Sequence, residues 1–184
     1  EKCTPVQQKV LEVSLDGKDL YVQSQTGTGK TAAFLITIMQ QLLLSNNTEK
    51  KALVLVPTRE LAVQVEEEAK KLGKHTNLKI GSFYGGVAYE SQVELLEKGI
   101  DIIIGTPGRI IDLCESNKMD LSNVCYLAVD EADRMFDMGF YPDLRKIVKL
   151  LPPSTSRQTM LFSATLNSYV KNLAWEYTID ATEI

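Results

Sequence analysis

A glycine-rich segment carries the clearest chemical signal in the sequence. It reads Ser24-Gln25-Thr26-Gly27-Thr28-Gly29-Lys30-Thr31 and lies between two apolar runs. Its glycines allow the backbone to curl so that successive N–H groups converge on an anion, and a following helix would point its positive end at that anion. Lys30 can then reach the outer phosphates of a nucleotide, and the Thr31 hydroxyl can bind Mg²⁺. We predict a phosphate-binding loop here, although Ser24 replaces the usual first glycine and a glycine-rich turn is the plainer alternative.

An acidic segment, Val129-Asp130-Glu131-Ala132-Asp133, follows another apolar run. Asp130 is predicted to hold Mg²⁺, usually through a water, and Glu131 to act as the general base on an attacking water. Adjacent carboxylates at a buried strand end repel each other, and a bound cation offsets that repulsion. Alone, the segment reads equally well as a helix cap. Together with the glycine-rich loop, it predicts a site for a nucleoside triphosphate and Mg²⁺.

Both segments need a scaffold that places them at one edge. Short apolar runs alternate with longer helical stretches throughout the chain. Near-continuous apolar strands indicate burial on both faces, so we predict a doubly wound α/β fold with a parallel sheet between helices. Ligands bind at the carboxyl ends of such strands. The expected strands are 19–23, 53–56, 79–84, 102–104, 126–129 and 160–162. The expected helices are one beginning at Pro5 after a Thr4 cap, then 30–44, 59–74, 88–98, 109–115, 141–150 and 168–177.

Composition excludes several other classes. A chain of 184 residues with 44% hydrophobic residues is the size of one domain, and a net charge of −4 argues against a basic surface over the whole domain. Three cysteines without a CxxC pair, and the single histidine His75, support neither a zinc site nor a disulfide framework. Free thiols indicate a reducing compartment, so we expect a cytoplasmic protein. The apolar run 32–44 is too short to span a membrane.

The residues Asp130 to Asp133 spell DEAD. With the phosphate-binding loop, they resemble the first RecA-like domain of DEAD-box ATP-dependent RNA helicases, which implies a three-layer P-loop fold with a mainly parallel sheet. Thr4-Pro5-Val6-Gln7 is similar to the Q motif, whose glutamine, here Gln7, selects adenine. This combination points away from DEAH-type and DNA helicases. The phrase from Asp130 to Phe140 and the pair Ser24-Gln25 are most similar to bacterial members, including those of the RNA-degradation type.

The resemblance also implies an RNA track. Its motifs are Pro57-Thr58-Arg59-Glu60-Leu61-Ala62, Gly85-Gly86 and Thr106-Pro107-Gly108-Arg109. Asp133 and the motif Ser163-Ala164-Thr165 would couple the nucleotide state to RNA binding. The longer motifs follow apolar runs and offer backbone N–H groups and hydroxyls to phosphate oxygens, so binding would be independent of base sequence. The two arginines would supply the cationic contacts. The plainer alternatives are an ordinary surface arginine for Arg59, a loop turn for Gly85-Gly86, and helix caps for Ser163 and Thr165.

The resemblance implies that residues 1–184 form the ATP-binding half of a monomeric helicase. The second RecA-like domain, with its arginine finger, and the aromatic residue that stacks on adenine upstream of the Q motif are expected outside this chain. We expect the two halves together to couple ATP hydrolysis to local RNA unwinding, and this half alone to be nearly inactive. Two other hypotheses remain: a P-loop ATPase of another kind, such as a DNA translocase, and a non-enzymatic RNA clamp. The intact Lys30, Thr31, Asp130 and Glu131 argue against the clamp.

Overall fold

Seven parallel strands form one sheet in the computed structural model, which describes residues 2–184. The strands are β1 (Leu20–Gln23), β2 (Lys51–Leu55), β3 (Ile80–Phe83), β4 (Ile102–Gly105), β5 (Val124–Val129), β6 (Gln158–Ser163) and β7 (Thr182–Glu183). Their order across the sheet is β3-β4-β2-β5-β6-β1-β7. Parallel neighbours require crossover connections, which the helices supply. The predicted α/β class is confirmed, and the sheet is parallel throughout.

Eight α-helices connect and cover the strands within the described residues. They are α1 (Pro5–Ser14), α2 (Lys30–Leu44), α3 (Arg59–Leu72), α4 (Tyr89–Glu97), α5 (Pro107–Glu115), α6 (Ala132–Asp137), α7 (Tyr141–Leu150) and α8 (Ser168–Tyr177). The bounds of α2, α7 and α8 are those predicted from the sequence. Helix α5 starts two residues earlier than predicted because Pro107 fits the first helical turn. Helix α6 and strand β7 were not predicted.

The core lies on both faces of the sheet. Along β2, Ala52 and Val54 pack with α1, α2 and α3 on one face, while Leu53 and Leu55 pack with α5 to α8 on the other. All four side chains are fully buried. The strands therefore read as continuous apolar runs rather than as an alternating pattern. The predicted three-layer arrangement is confirmed.

Strand register brings the predicted motifs to one edge. The last residue of β1, Gln23, pairs with Ser163 of β6, and Leu55 of β2 pairs with Val129 of β5 and with Gly105 of β4. Phe83, the last residue of β3, also pairs with Gly105. The carboxyl ends of six strands thus line up. The segments that follow them begin at Ser24, Val56, Tyr84, Thr106, Asp130 and Ala164.

The cysteines differ in their surroundings. Cys3 is exposed, Cys114 and Cys125 are partly buried, and all three are free thiols. Burial, together with the nearby Asp120 and Glu115 carboxylates, raises the pKa of Cys114 to about 11. His75 is exposed. No group of three or more His, Cys, Asp or Glu side chains that could hold a metal occurs in residues 2–184, and no helix there has the length and apolar character to cross a membrane.

We expect Cys114 to resist alkylation in the folded chain. With a pKa of about 11, only about one thiol in a thousand is ionised at pH 8, and the thiolate is the reactive form. Iodoacetamide at pH 8, followed by mass spectrometry of the peptides, should therefore modify Cys3 well before Cys114. Labelling in denaturant is the control and should remove the difference. Equal labelling rates in the folded chain would contradict the burial of Cys114.

Candidate functional site

The glycine-rich loop joins the end of β1 to the start of α2. Gly27 and Gly29 have φ values of 84° and 83°, in the left-handed region that favours glycine. A Cβ on Gly29 would collide with Nε2 of Gln7 and displace the end of that side chain. Within residues 2–184, the backbone N–H groups of Thr26 to Thr28 donate no hydrogen bond. The loop therefore has the free N–H groups that an anion site needs.

Lys30 and Asp130 meet in the interior beside this loop. Nζ of Lys30 lies 3.0 Å from Oδ1 of Asp130, and the two side chains are only 6% and 1% exposed. Burial raises the pKa of Asp130, while the ammonium of Lys30 opposes that rise. The other carboxylate oxygen, Oδ2, is buried and has no hydrogen-bond partner. A buried carboxylate oxygen without a partner is costly, and a divalent cation would satisfy it.

This donor set fits Mg²⁺. The ion is usually held by one or two protein oxygens and completes its shell with substrate phosphates and water. Oδ2 of Asp130 supplies one oxygen. Thr31, which is partly exposed in the first turn of α2 directly after Lys30, supplies a hydroxyl at the same loop. The two residues predicted to hold the metal are therefore those beside the anion loop.

Glu131 occupies a strained position next to Asp130. Its φ of 52° lies in the left-handed region, which is uncommon for a residue with a side chain. Its N–H donates to Oδ1 of Asp130 at 2.9 Å, and its Oε2 accepts from Nη1 of Arg134 at 3.1 Å. The predicted base is thus fixed beside the predicted metal ligand. The contact with Arg134 was not foreseen.

A hydrogen-bond network links the end of β5 to the end of β6. Oδ2 of Asp133 accepts from both the N–H and the hydroxyl of Thr165, each at 3.1 Å. The N–H of Asp133 donates to Oγ of Ser163 at 3.3 Å, and that hydroxyl donates to the carbonyl of Thr165 at 2.7 Å. The structure therefore brings together the three residues that were predicted to couple nucleotide and RNA.

The start of α1 packs on the phosphate-binding loop. Thr4 and Gln7 form a capping box, as the predicted Thr4 cap requires. The hydroxyl of Thr4 donates to the carbonyl of Thr28 at 2.8 Å, and Nε2 of Gln7 donates to the carbonyl of Gly29 at 3.2 Å. Gln7 thus lies over the loop. Its amide uses one lone pair and one N–H in these contacts, so the second of each remains for a base.

The predicted RNA-binding residues lie at the same edge, beyond β2, β4 and β3. Arg59 stacks over the ring of Tyr84, with 5.3 Å from Cζ to the ring centre, and its Nη1 donates to the carbonyl of Gly86 at 3.4 Å. Arg109 donates from Nη2 to the carbonyl of Val87, also at 3.4 Å. The Gly85-Gly86 turn is thus contacted by Arg59, and Val87, which follows the turn, is contacted by Arg109.

The remaining predicted RNA-binding residues fall into two groups. Pro57 and Pro107 are buried and have no backbone N–H to donate to a ligand. Thr58 caps α3 through its Oγ1, whereas the Thr106 side chain makes no cap bond. Gly85 and Gly108 border open space. The threonines and glycines can therefore present hydroxyl and backbone groups to a phosphate chain.

Some site residues carried no sequence signal. Tyr84 lies under Arg59, Tyr89 lies under Arg109 and Gln92 accepts a hydrogen bond from Arg109. Their roles depend on how three strands and two helices come together, which a local pattern does not show. Tyr84 stands directly before Gly85-Gly86, and that adjacency is the one signal that could have drawn attention to it.

A parallel sheet with a glycine-rich loop after one strand and a buried aspartate after another defines the class of RecA-like P-loop domains. The profile of the DEAD/DEAH box helicase family matches residues 4–173. The chain belongs to this family, which confirms the resemblance found in its sequence.

Relatives with established names are similar over nearly the whole chain. An "ATP-dependent RNA helicase RhlB" of Shewanella frigidimarina is 46% identical over 190 residues, covering 100% of this chain and 44% of the relative. One of the same name from Aeromonas hydrophila is 48% identical over 181 residues, covering 95% and 42%. A solved structure, described as a hypothetical ATP-dependent RNA helicase from Sulfolobus tokodaii, superposes with a TM-score of 0.90 at 35% identity, covering 100% of this chain and 53% of that one. This chain thus spans less than half the length of the curated relatives.

Proposed function

We propose that this chain is the ATP-binding half of an ATP-dependent RNA helicase. The observation that carries the proposal is the buried Lys30–Asp130 pair, whose second carboxylate oxygen has no partner beside the phosphate-binding loop. The relatives named ATP-dependent RNA helicase support the same function. Residues 1–184 then form the first RecA-like domain, and a second such domain would complete the enzyme.

The nucleotide half of the mechanism follows from the positions of the residues. The free N–H groups of the loop receive the phosphates, and Lys30 leaves Oδ1 of Asp130 to bind the outer phosphates. Asp130 and Thr31 would hold Mg²⁺, which would neutralise charge on the phosphate oxygens. Glu131 accepts the proton of the attacking water as general base. Gln7 selects adenine from its place over the loop.

The RNA-binding part of the mechanism uses residues that follow β2, β4 and β3. Arg59 and Arg109, the threonines Thr58 and Thr106, and the glycines of the two turns contact the sugar–phosphate backbone. Such contacts fix the position of a strand without reading its bases. The Asp133–Ser163–Thr165 network joins the ends of β5 and β6, beside Asp130 and next to the strand that precedes the phosphate-binding loop, and transmits the nucleotide state. A strand bound and bent by two domains would lose its partner locally.

A DNA-translocating ATPase is the principal alternative, and stimulation of turnover separates the two functions. We expect single-stranded RNA to raise the ATPase rate of a two-domain protein containing this chain. DNA of the same sequence should have little effect, because it lacks the 2′-hydroxyl by which proteins distinguish RNA. The measurement is phosphate release at saturating ATP with matched oligonucleotides. Equal stimulation by the two nucleic acids would contradict an RNA helicase.

A further inference from the structure

A buried glutamine lies between the two arginines of the RNA track. Gln92 is on α4, and it is only 5% exposed. Its Oε1 accepts a hydrogen bond from Nη1 of Arg109 at 2.8 Å. Its Nε2 donates to the backbone carbonyl of Tyr84 at 3.2 Å. One amide group therefore makes hydrogen bonds both to a guanidinium and to the backbone carbonyl that directly follows β3.

The Tyr84 end of this contact leads to the second arginine. The guanidinium of Arg59 lies over the ring of Tyr84, with 5.3 Å between Cζ and the ring centre. A guanidinium stacked on an aromatic face keeps its N–H edges directed outward, where they can contact an anion. Because Gln92 fixes the backbone of Tyr84, it also restricts the position of this ring. The Gln92 amide thus contacts Arg109 directly and is linked to Arg59 through Tyr84.

Arg109 is held on three sides. Besides Gln92, its Nη2 donates to the carbonyl of Val87 at 3.4 Å, and its Cζ lies 5.6 Å from the ring centre of Tyr89. Nη1 and Nη2 each carry one contact, so their remaining hydrogens and Nε–H are left for a phosphate. An arginine side chain otherwise loses considerable rotamer freedom on binding. Contacts formed before RNA arrives reduce that loss.

We infer that Gln92 is a positioning residue for RNA, which holds the guanidinium of Arg109 and, through Tyr84, that of Arg59 in place for the RNA backbone. This inference rests on the proposed RNA-binding function. The amide is suited to the role because it has both a donor and an acceptor, and no single-function side chain of similar size could bond to a guanidinium and a carbonyl together. The residue does not touch RNA itself.

The test compares Gln92→Leu with Gln64→Leu in the 184-residue chain. Gln64 is an exposed glutamine on α3, so the control makes the same chemical change away from the network. We expect Gln92→Leu to bind a labelled single-stranded RNA about tenfold more weakly by fluorescence anisotropy, whereas Gln64→Leu binds like the wild type. The affinity for ATP should be the same in all three proteins, because a general loss of structure would lower both affinities.

Two further readouts distinguish positioning from stability. Nitrogen-15 NMR should show restricted rotation of the Arg109 guanidinium in the wild type and free rotation in Gln92→Leu. The slope of log affinity against log salt concentration should be unchanged in Gln92→Leu. In Gln92→Glu, which partly neutralises Arg109, that slope should fall by up to about 0.7.

The arginine variants Arg59→Ala and Arg109→Ala separate failure of this inference from failure of the function. Suppose that both arginine variants weaken RNA binding, while Gln92→Leu has the RNA affinity and the Arg109 guanidinium rotation of the wild type. The proposed role of Gln92 is then wrong, and the proposed RNA contact by the arginines is supported. If neither arginine variant weakens RNA binding, the proposed RNA contact is wrong and the role of Gln92 falls with it.

Discussion

Replacing Glu131 by glutamine should lower ATP turnover about 10²–10⁴-fold in a two-domain protein containing this chain, which is the contribution expected of a positioned general base. Glutamine has the same shape and keeps an oxygen that can accept from Nη1 of Arg134, the contact that holds Glu131 at 3.1 Å. What it loses is the capacity to take a proton from water. Affinity for ATP and Mg²⁺ should persist, because Lys30, Thr31 and Asp130 are unchanged.

The consequence for RNA follows from the same argument. If hydrolysis releases the RNA, the Glu131→Gln protein should remain bound to ATP and RNA together, and its RNA complex should dissociate more slowly with ATP than without. Phosphate release under single-turnover conditions and RNA dissociation by fluorescence measure the two effects. A matched control is Glu67→Gln, an exposed residue on α3. Turnover in Glu131→Gln equal to that of Glu67→Gln would remove Glu131 from the role of base.

Much of the scaffold could be predicted because its signals are local. Helix α2 begins where the glycines end and continues through a long apolar run, and its bounds, Lys30–Leu44, are those predicted. Strand β7 was missed since it has only two residues, Thr182 and Glu183, and neither is apolar. Pairing with β1 creates it, through the N–H of Thr182 donating to the carbonyl of Asp19. Partners distant in the chain, not propensity, define such an element.

In the candidate site, too, some features could be predicted from local sequence and others could not. Lys30 and Asp130 were predicted from their motifs, because the glycine-rich loop that leads to Lys30 and the acidic segment that contains Asp130 each follow an apolar run. That they meet at 3.0 Å, with one carboxylate oxygen left unpartnered, required the order of the strands. Gln92 gave no signal, since a glutamine in a short helix is most simply a surface residue. Its burial depends on the turn of residues 84–88 packing against α4 and α5.

The net charge of −4 was a poor guide to binding. It argued against a basic surface over the whole domain, whereas the proposed RNA contact is a narrow track of N–H groups, hydroxyls and two arginines. Charge summed over a domain describes solubility and long-range attraction. A contact of this size depends on where a few cations are held, and Arg59 and Arg109 are both held by aromatic rings and carbonyls.

The second large effect concerns the second domain that we propose completes the enzyme. We expect the 184-residue chain alone to bind ATP and Mg²⁺ weakly and to hydrolyse ATP about 10³–10⁵-fold more slowly than a two-domain protein that contains it. An arginine finger, which the resemblance assigns to the second domain, accounts for a factor of this size. Unwinding of an RNA duplex should be absent, because one domain cannot hold a bent strand between two surfaces.

The most direct test of the whole account measures ATP binding and ATP hydrolysis side by side on the 184-residue chain. Equilibrium binding of a fluorescent ATP analogue with and without Mg²⁺ gives the first, and phosphate release with and without RNA gives the second. We predict Mg²⁺-dependent binding that is lost in Lys30→Ala and in Asp130→Ala, together with barely measurable hydrolysis. Binding that neither variant affects, or vigorous RNA-stimulated hydrolysis by this chain alone, would contradict the account.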